Sequence, residues 1–197
     1  MTQRERLKQI TAMSPNGIIT SKQVAMEGLH RGTLGELVKE GELYRCGRGV
    51  YAAADAWEDE LFLLQSKYKR GIFSHDTALF LHGYSERTPA VFTMTFPKGY
   101  NSPSLKNENV IVKRAVQQNY YLGITELKTP CGNTVLAYEL ERTLCDILRG
   151  SGSDTQLVLS AMKRYAASKE KDIDKLLRCA EKLHVSQKVL RYMEVLL

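Results

Sequence analysis

Five cations, Lys22, Arg31, Lys39, Arg45 and Arg48, fall between Asn16 and Tyr51 with the hydroxyls of Thr20, Ser21 and Thr33 among them. Lysine and arginine displace counterions from phosphates, and side-chain donors that reach a groove read base edges, so this set suits binding to a nucleic acid. Other residues invite catalytic readings and fail them. Gly150-Ser151 with Asp172 and Asp174 has the residue types of a magnesium-dependent nucleotidyl transfer site, but the two aspartates open a lysine-rich helical run and point in different directions from it. His75 and His82, with Asp76 beside the first, suggest a metal or an acid–base pair; two helical turns set them roughly 10 Å apart, too far for one ion. No serine or cysteine occupies a nucleophile turn with a base at hand. Arg142 has Glu139 and Asp146 within reach on its own helix, a structural pairing. The chain is therefore read as a non-enzyme, with no catalytic residue, metal or cofactor assigned.

The elements that must present the five cations follow from local rules. Thr20 and Ser21 can each cap a helix whose inward face is Val24 and Ala25 and which Gly28 ends. Arg31 to Glu40 repeats Leu34, Leu37 and Val38 at helical spacing up to Gly41, with Arg31, Thr33, Gly35, Glu36 and Lys39 expected on the opposite face. Leu43-Tyr44-Arg45 and Val50-Tyr51 alternate as strands about a Cys46-Gly47-Arg48-Gly49 turn. Preceded by a helix over Glu5 to Met13, with Leu7, Ile10 and Met13 inward, this is the plan of a winged helix-turn-helix. Its second helix enters the major groove and its hairpin lies on the phosphate backbone. Arg31, Thr33 and Lys39 are then groove-facing, Arg31 and Thr33 nearest the bases, and Lys22, Arg45 and Arg48 contact phosphates.

Charge supports the motif without proving it. The 197 residues carry a net charge of +6. Residues 1–54 hold eight Lys or Arg against five acids, 55–150 eleven against eleven, and 151–197 nine against six. Both ends are basic, so a C-terminal helical face is a second candidate for DNA contact, with an ordinary solvated face as the simpler reading. Cys46, Cys131, Cys145 and Cys179 stand apart without paired spacing, which points to reduced thiols. A polar N-terminus and the lack of a long apolar run argue for a cytoplasmic protein.

The expected fold is α+β: a winged helix-turn-helix over 1–54, then a mixed α/β domain over 55–197. That domain is expected to open with a helix from Trp57 to Arg70 and a second from His75 to His82. Strands follow at Val91–Phe96 and Val110–Val116, with a loop between them. A hairpin, Ile124–Lys128 and Thr134–Tyr138, turns at Pro130-Cys131-Gly132-Asn133, and a helix covers Glu139–Leu148. After a break at Gly150-Ser151-Gly152-Ser153, a tail from about residue 154 holds three helices, with Leu157, Leu159, Leu176, Leu177, Leu183, Val189 and Met193 as their periodic apolar positions.

The winged helix followed by SHDTALFLHGYSERTP, VFTMTFPKG and TPCGNTVLAYELERTLCDILR resembles the antitoxin of the abortive-infection E system, AbiEi, over nearly the whole chain. The resemblance implies a bacterial type IV toxin–antitoxin pair used in phage defence. In it the winged helix binds inverted repeats in its own promoter as double-stranded DNA and represses the operon. The domain behind it counters a nucleotidyltransferase-like toxin without a stable complex. Inverted repeats call for two copies on the operator, which a protein monomeric in solution can supply by meeting there. Two other readings stay open: a ligand-responsive regulator with an effector pocket, and a protein-interaction module.

Overall fold

Thr2 and Glu5 start the first helix by exchanging bonds, Glu5 N donating to the Thr2 hydroxyl at 3.2 Å and Thr2 N to the Glu5 carboxylate at 2.8 Å. The computed structural model describes residues 1–150 and 153–196. Helix α1 (Gln3–Met13) buries Leu7 and Thr11, one above the other, and the Thr11 hydroxyl donates to the Leu7 carbonyl at 2.9 Å. Met13, expected inward, falls off that stripe and is exposed.

A short 3-10 turn at Pro15–Gly17 leads into β1 (Ile18–Thr20), a strand too short to announce itself, then α2 (Ser21–Met26), α3 (Gly32–Lys39), β2 (Leu43–Gly47) and β3 (Val50–Ala53). The three strands form an antiparallel sheet in the order β1-β3-β2. Ile18 and Ile19 point to opposite faces of β1, as neighbours on a strand must. Ile19 joins Leu7, Val24, Leu29, Leu34, Leu37 and Leu43 under the helices, while Ile18 joins Val50 and Ala52. Ala25, expected inward with Val24, is exposed.

The compact unit does not stop at residue 54. It comprises Met1–Lys69 and, from far along the chain, Lys128–Val135. Helix α4 (Glu60–Lys67) begins later than expected, because Asp59 rather than Trp57 is its cap; Phe62 N donates to Asp59 Oδ1 at 3.1 Å, and Trp57 lies outside the helix, exposed. The other carboxylate oxygen of this buried aspartate accepts from the Thr129 hydroxyl at 2.6 Å and from Asn133 Nδ2 at 2.8 Å. That clasp ties Thr129 and Asn133 to the start of α4 within the first unit.

The second unit holds Arg70–Leu127 and the chain from Leu136 onward. Its elements are β4 (Ile72–Phe73), α5 (His75–Leu81), β5 (Phe92–Pro97), β6 (Val110–Ala115), α6 (Gln117–Tyr121), β7 (Ile124–Lys128), β8 (Thr134–Tyr138), α7 (Leu140–Arg149), α8 (Thr155–Ala167), α9 (Ile173–Lys182) and α10 (Ser186–Leu196). The five strands run in the order β6-β5-β4-β8-β7, with β5 and β6 parallel, β4 and β5 antiparallel, and β4 and β8 parallel. The mixed α+β class and the helical tail are as expected; β4 and α6 are additions. Ser151 and Gly152, within the expected break, lie outside the described residues.

Helix α7 is buried on every side from Glu141 to Leu148, and its apolar residues pack with α8, α9 and α10 through Met162, Tyr165, Leu176, Leu183 and Val189. Leu159 departs from the expected pattern and faces outward; Val158 takes the inward position. Three charged residues ride into the core on α7. Arg142 Nε donates to Asp146 Oδ2 at 3.0 Å, settling its partner as Asp146 and not Glu139. The guanidinium also donates to the carbonyls of Asn119 and Leu122 and lies 4.3 Å from the Tyr138 ring centroid. Glu141 accepts from the Tyr165 hydroxyl at 3.2 Å and pairs with Lys175 at 3.4 Å.

Candidate nucleic-acid interface

The Thr20 hydroxyl caps α2, accepting from Gln23 N at 3.2 Å while Thr20 N donates back to Gln23 Oε1 at 2.8 Å. With its oxygen held in the cap, Thr20 serves the scaffold. The turn after α2 needs a left-handed residue, and Gly28, at φ 68°, supplies it. Leu29 N then bonds to the Val24 carbonyl at 3.0 Å and the Leu29 side chain is buried, fixing the start of α3.

At the head of α3, Gly32 N donates to His30 Nδ1 at 3.1 Å, and His30 N donates to Gln3 Oε1 at 3.3 Å. Arg31, Gly35, Glu36 and Lys39 are exposed together with Arg45, Arg48 and Lys22. Thr33 is not. It is only 8% exposed and packs inward with Leu34 and Leu37, so the expectation that it reads bases is corrected. Positions 31 and 33 lie about 200° apart round a helix, and burying one side of α3 turns them to different surroundings.

The wing is a bulged hairpin: the β2–β3 register slips between Arg45 and Gly47. Arg45 Nε donates to the Gly47 carbonyl at 3.2 Å, which holds that guanidinium against its own strand. Ser21 N donates to the Gly49 carbonyl at 2.8 Å, so the wing turn bearing Arg48 adjoins the first residues of α2, where Lys22 lies. Two expected phosphate contacts, far apart in sequence, are thus brought to one place.

Charge pairing sharpens the face. Three of the acids around the face are answered from α1: Arg4 pairs with Glu40 and Glu42, Lys8 with Glu42, and Arg6 with Glu27 at 3.2 Å, while Glu36, exposed on α3, makes no ion pair among the described residues. The hydrogen bond from Lys8, with that from Arg4, lowers the Glu42 carboxyl below its ordinary value. Exposed pairs of this kind add little stability. Their effect is distributional, because Lys22, Arg31, Lys39 and Arg48 make no ion pair among the described residues.

This geometry has a counterpart among known proteins. Residues 5–54 match the family model described as "Transcriptional regulator, AbiEi antitoxin". Over these residues the N-terminal segment is similar to that family. The full chain is also similar in fold to a crystal structure of the RV2827C protein from Mycobacterium tuberculosis, at 17% identity and a TM-score of 0.60, over 98% of this chain and 77% of that one. No curated protein matches. The matched segment runs from within α1 to β3 and holds every residue expected to touch DNA.

Behind the matched segment the suspected chemical sites take on structural work. Asp172 caps α9, accepting from Lys175 N at 2.8 Å, and Asp174 follows within the first turn. Its supposed partner Ser151 lies outside the described residues. His75 Nδ1 is 3.1 Å from the Ser74 hydroxyl, while His82 Nε2 donates to the Tyr138 carbonyl at 2.8 Å. Among the described residues no cluster of histidine, cysteine or carboxylate side chains could hold a metal, and no helix is long and apolar enough to cross a membrane. All four cysteines are free, and burial pushes the Cys145 and Cys179 thiols up, away from the reactive thiolate.

Burial lowers both His82 and His75; the Tyr138 carbonyl opposes this at His82, and the Asp146 charge opposes it at His75. The unfolded chain therefore takes up protons first as pH falls through the ordinary histidine value of about 6.5, and folded stability declines below it. A thermal melt followed from about pH 7.5 to 5.5 is expected to show a falling midpoint, flattened in His82→Gln, whose amide can still donate to Tyr138. A midpoint indifferent to pH over that span counts against these two partly buried histidines staying neutral in the fold.

Proposed function

We propose that this chain is a type IV antitoxin of a bacterial abortive-infection, phage-defence pair, acting in the cytoplasm and carrying no catalysis of its own. In this reading the first unit binds inverted repeats of double-stranded DNA in its own promoter and represses its operon. The second unit opposes a nucleotidyltransferase-like toxin without forming a stable complex with it. The observation that carries the DNA half is the sorting of charge: α1 answers Glu27, Glu40 and Glu42, and the cations of α2, α3 and the wing tip stay unpaired. Arg31 and Lys39, with Glu36 between them, are the proposed base readers now that Thr33 is buried. Lys22, Arg45 and Arg48 are the phosphate contacts, with Ser21 beside them.

The test is a fluorescence-anisotropy titration against a duplex taken from immediately upstream of the coding sequence and against a scrambled duplex. Wild-type protein is expected to prefer the first and to lose affinity steeply with salt. Arg31→Ala should cost about 1–3 kcal/mol of discrimination, whereas Arg48→Ala should weaken both duplexes alike and reduce the salt slope by about one. Equal effects of the two substitutions would refute the division of roles, and no binding at low salt would refute the repressor.

One observation favours the ligand-responsive alternative, an open cavity of about 460 Å³ in the first unit with Lys8, Asn16, Glu42 and Asp55 on its wall. A small molecule that alters DNA affinity would bring that reading forward.

A further inference from the structure

The His30 ring is held in place at the head of α3, on the proposed DNA face. Gly32 N donates to its Nδ1 at 3.1 Å, and a nitrogen that accepts carries no proton. The neutral imidazole is therefore the Nε2–H tautomer. Among the described residues that N–H has no partner, and His30 is exposed beside Arg31. Gly32 is part of the same device. A β-carbon there would stand 2.8 Å from Nδ1 and 3.0 Å from Cε1 of the ring, so any other residue at 32 displaces the imidazole. The backbone at Gly32 does not have the positive φ that would itself require glycine.

Resting on the DNA-binding reading above, we infer that His30 is a further contact residue, donating its Nε2–H to a phosphate oxygen of the DNA backbone, and that Gly32 is the clearance that aims it. A ring held over the backbone of α3 is short and fixed in direction, unsuited to probing base edges deep in a groove. A phosphate oxygen only accepts, and every nucleotide offers one, which suits a donor that sets the docking register. Because the donor is neutral, it differs from Arg48: it adds a directional bond and displaces no counterion.

The anisotropy titration above separates these roles with two variants. His30→Asn keeps a side-chain oxygen that can accept from Gly32 N, but its amide N–H groups lie closer to the backbone, so no donor remains at the Nε2 position. Gly32→Ala leaves histidine in place and pushes it aside, while alanine favours the helix, so its melting midpoint should hold or rise. Both are expected to weaken binding to the upstream and the scrambled duplex by about tenfold, the usual worth of a hydrogen bond to a charged acceptor, with the wild-type salt slope retained. Wild-type affinity in Gly32→Ala overturns the assignment, as does a loss confined to the upstream duplex, which would mean a base contact. If wild-type protein binds neither duplex at low salt, it is the DNA-binding reading itself that fails.

Discussion

Arg142→Met is expected to destabilise the second unit by about 3–5 kcal/mol, the usual consequence of removing one member of a buried ion pair. The residue is 1% exposed and Asp146 4%, and the guanidinium also serves the carbonyls of Asn119 and Leu122. Methionine fills comparable volume but leaves a charged carboxylate and two carbonyls without their donor. The double variant Arg142→Met/Asp146→Leu should recover much of the loss, since a well-packed apolar pair can replace a buried ionic one. Urea titrations of the single and double variants measure this directly. A single variant within about 1 kcal/mol of wild type would show that the pair is not what organises α7.

Asp59→Ala should act on the first unit with nearly comparable force, by about 2–4 kcal/mol, because it removes a helix cap and strands two buried donors. Thr129 and Asn133 would lose their acceptor together, so Asn133→Ala added to Asp59→Ala should cost far less than the sum of the two alone. The readout is hydrogen exchange at the first amides of α4 alongside the denaturation midpoint. Strict additivity would mean that Asp59 and Asn133 do not act as one clasp. A fragment ending at residue 54 or 69 lacks Thr129 and Asn133 altogether, and should be less stable than the same segment in the intact chain.

What the sequence disclosed follows the range of the forces involved. Caps, the glycine turn and the wing depend on residues two to four apart, and Thr20, Gly28 and the Cys46-Gly47-Arg48-Gly49 turn mark their places in the first unit. Strand β1 spans three residues and β4 two, too few for a period to emerge in the sequence. Thr33 was misread because threonine counts as polar, although its place beside Leu34 and four before Leu37 puts it on the apolar side of α3. His30 was missed for a different reason. Its role depends on the neighbouring glycine having no β-carbon, a relation that composition and periodicity do not express. The Asp59 clasp joins residues 70 and 74 positions apart, and no local pattern announces such a bond.

That separation also sets a timetable. Asp59 leaves the ribosome 74 residues ahead of Asn133, about 4–15 s earlier at ordinary elongation rates. Through that interval the nascent winged helix has its recognition helix and wing but not the acceptor's partners beneath α4. Completion of the first unit is thereby deferred until most of the second unit's strands have been made. A transcript cut short before codon 133 yields the cations of α2, α3 and the wing on a first unit that lacks its clasp.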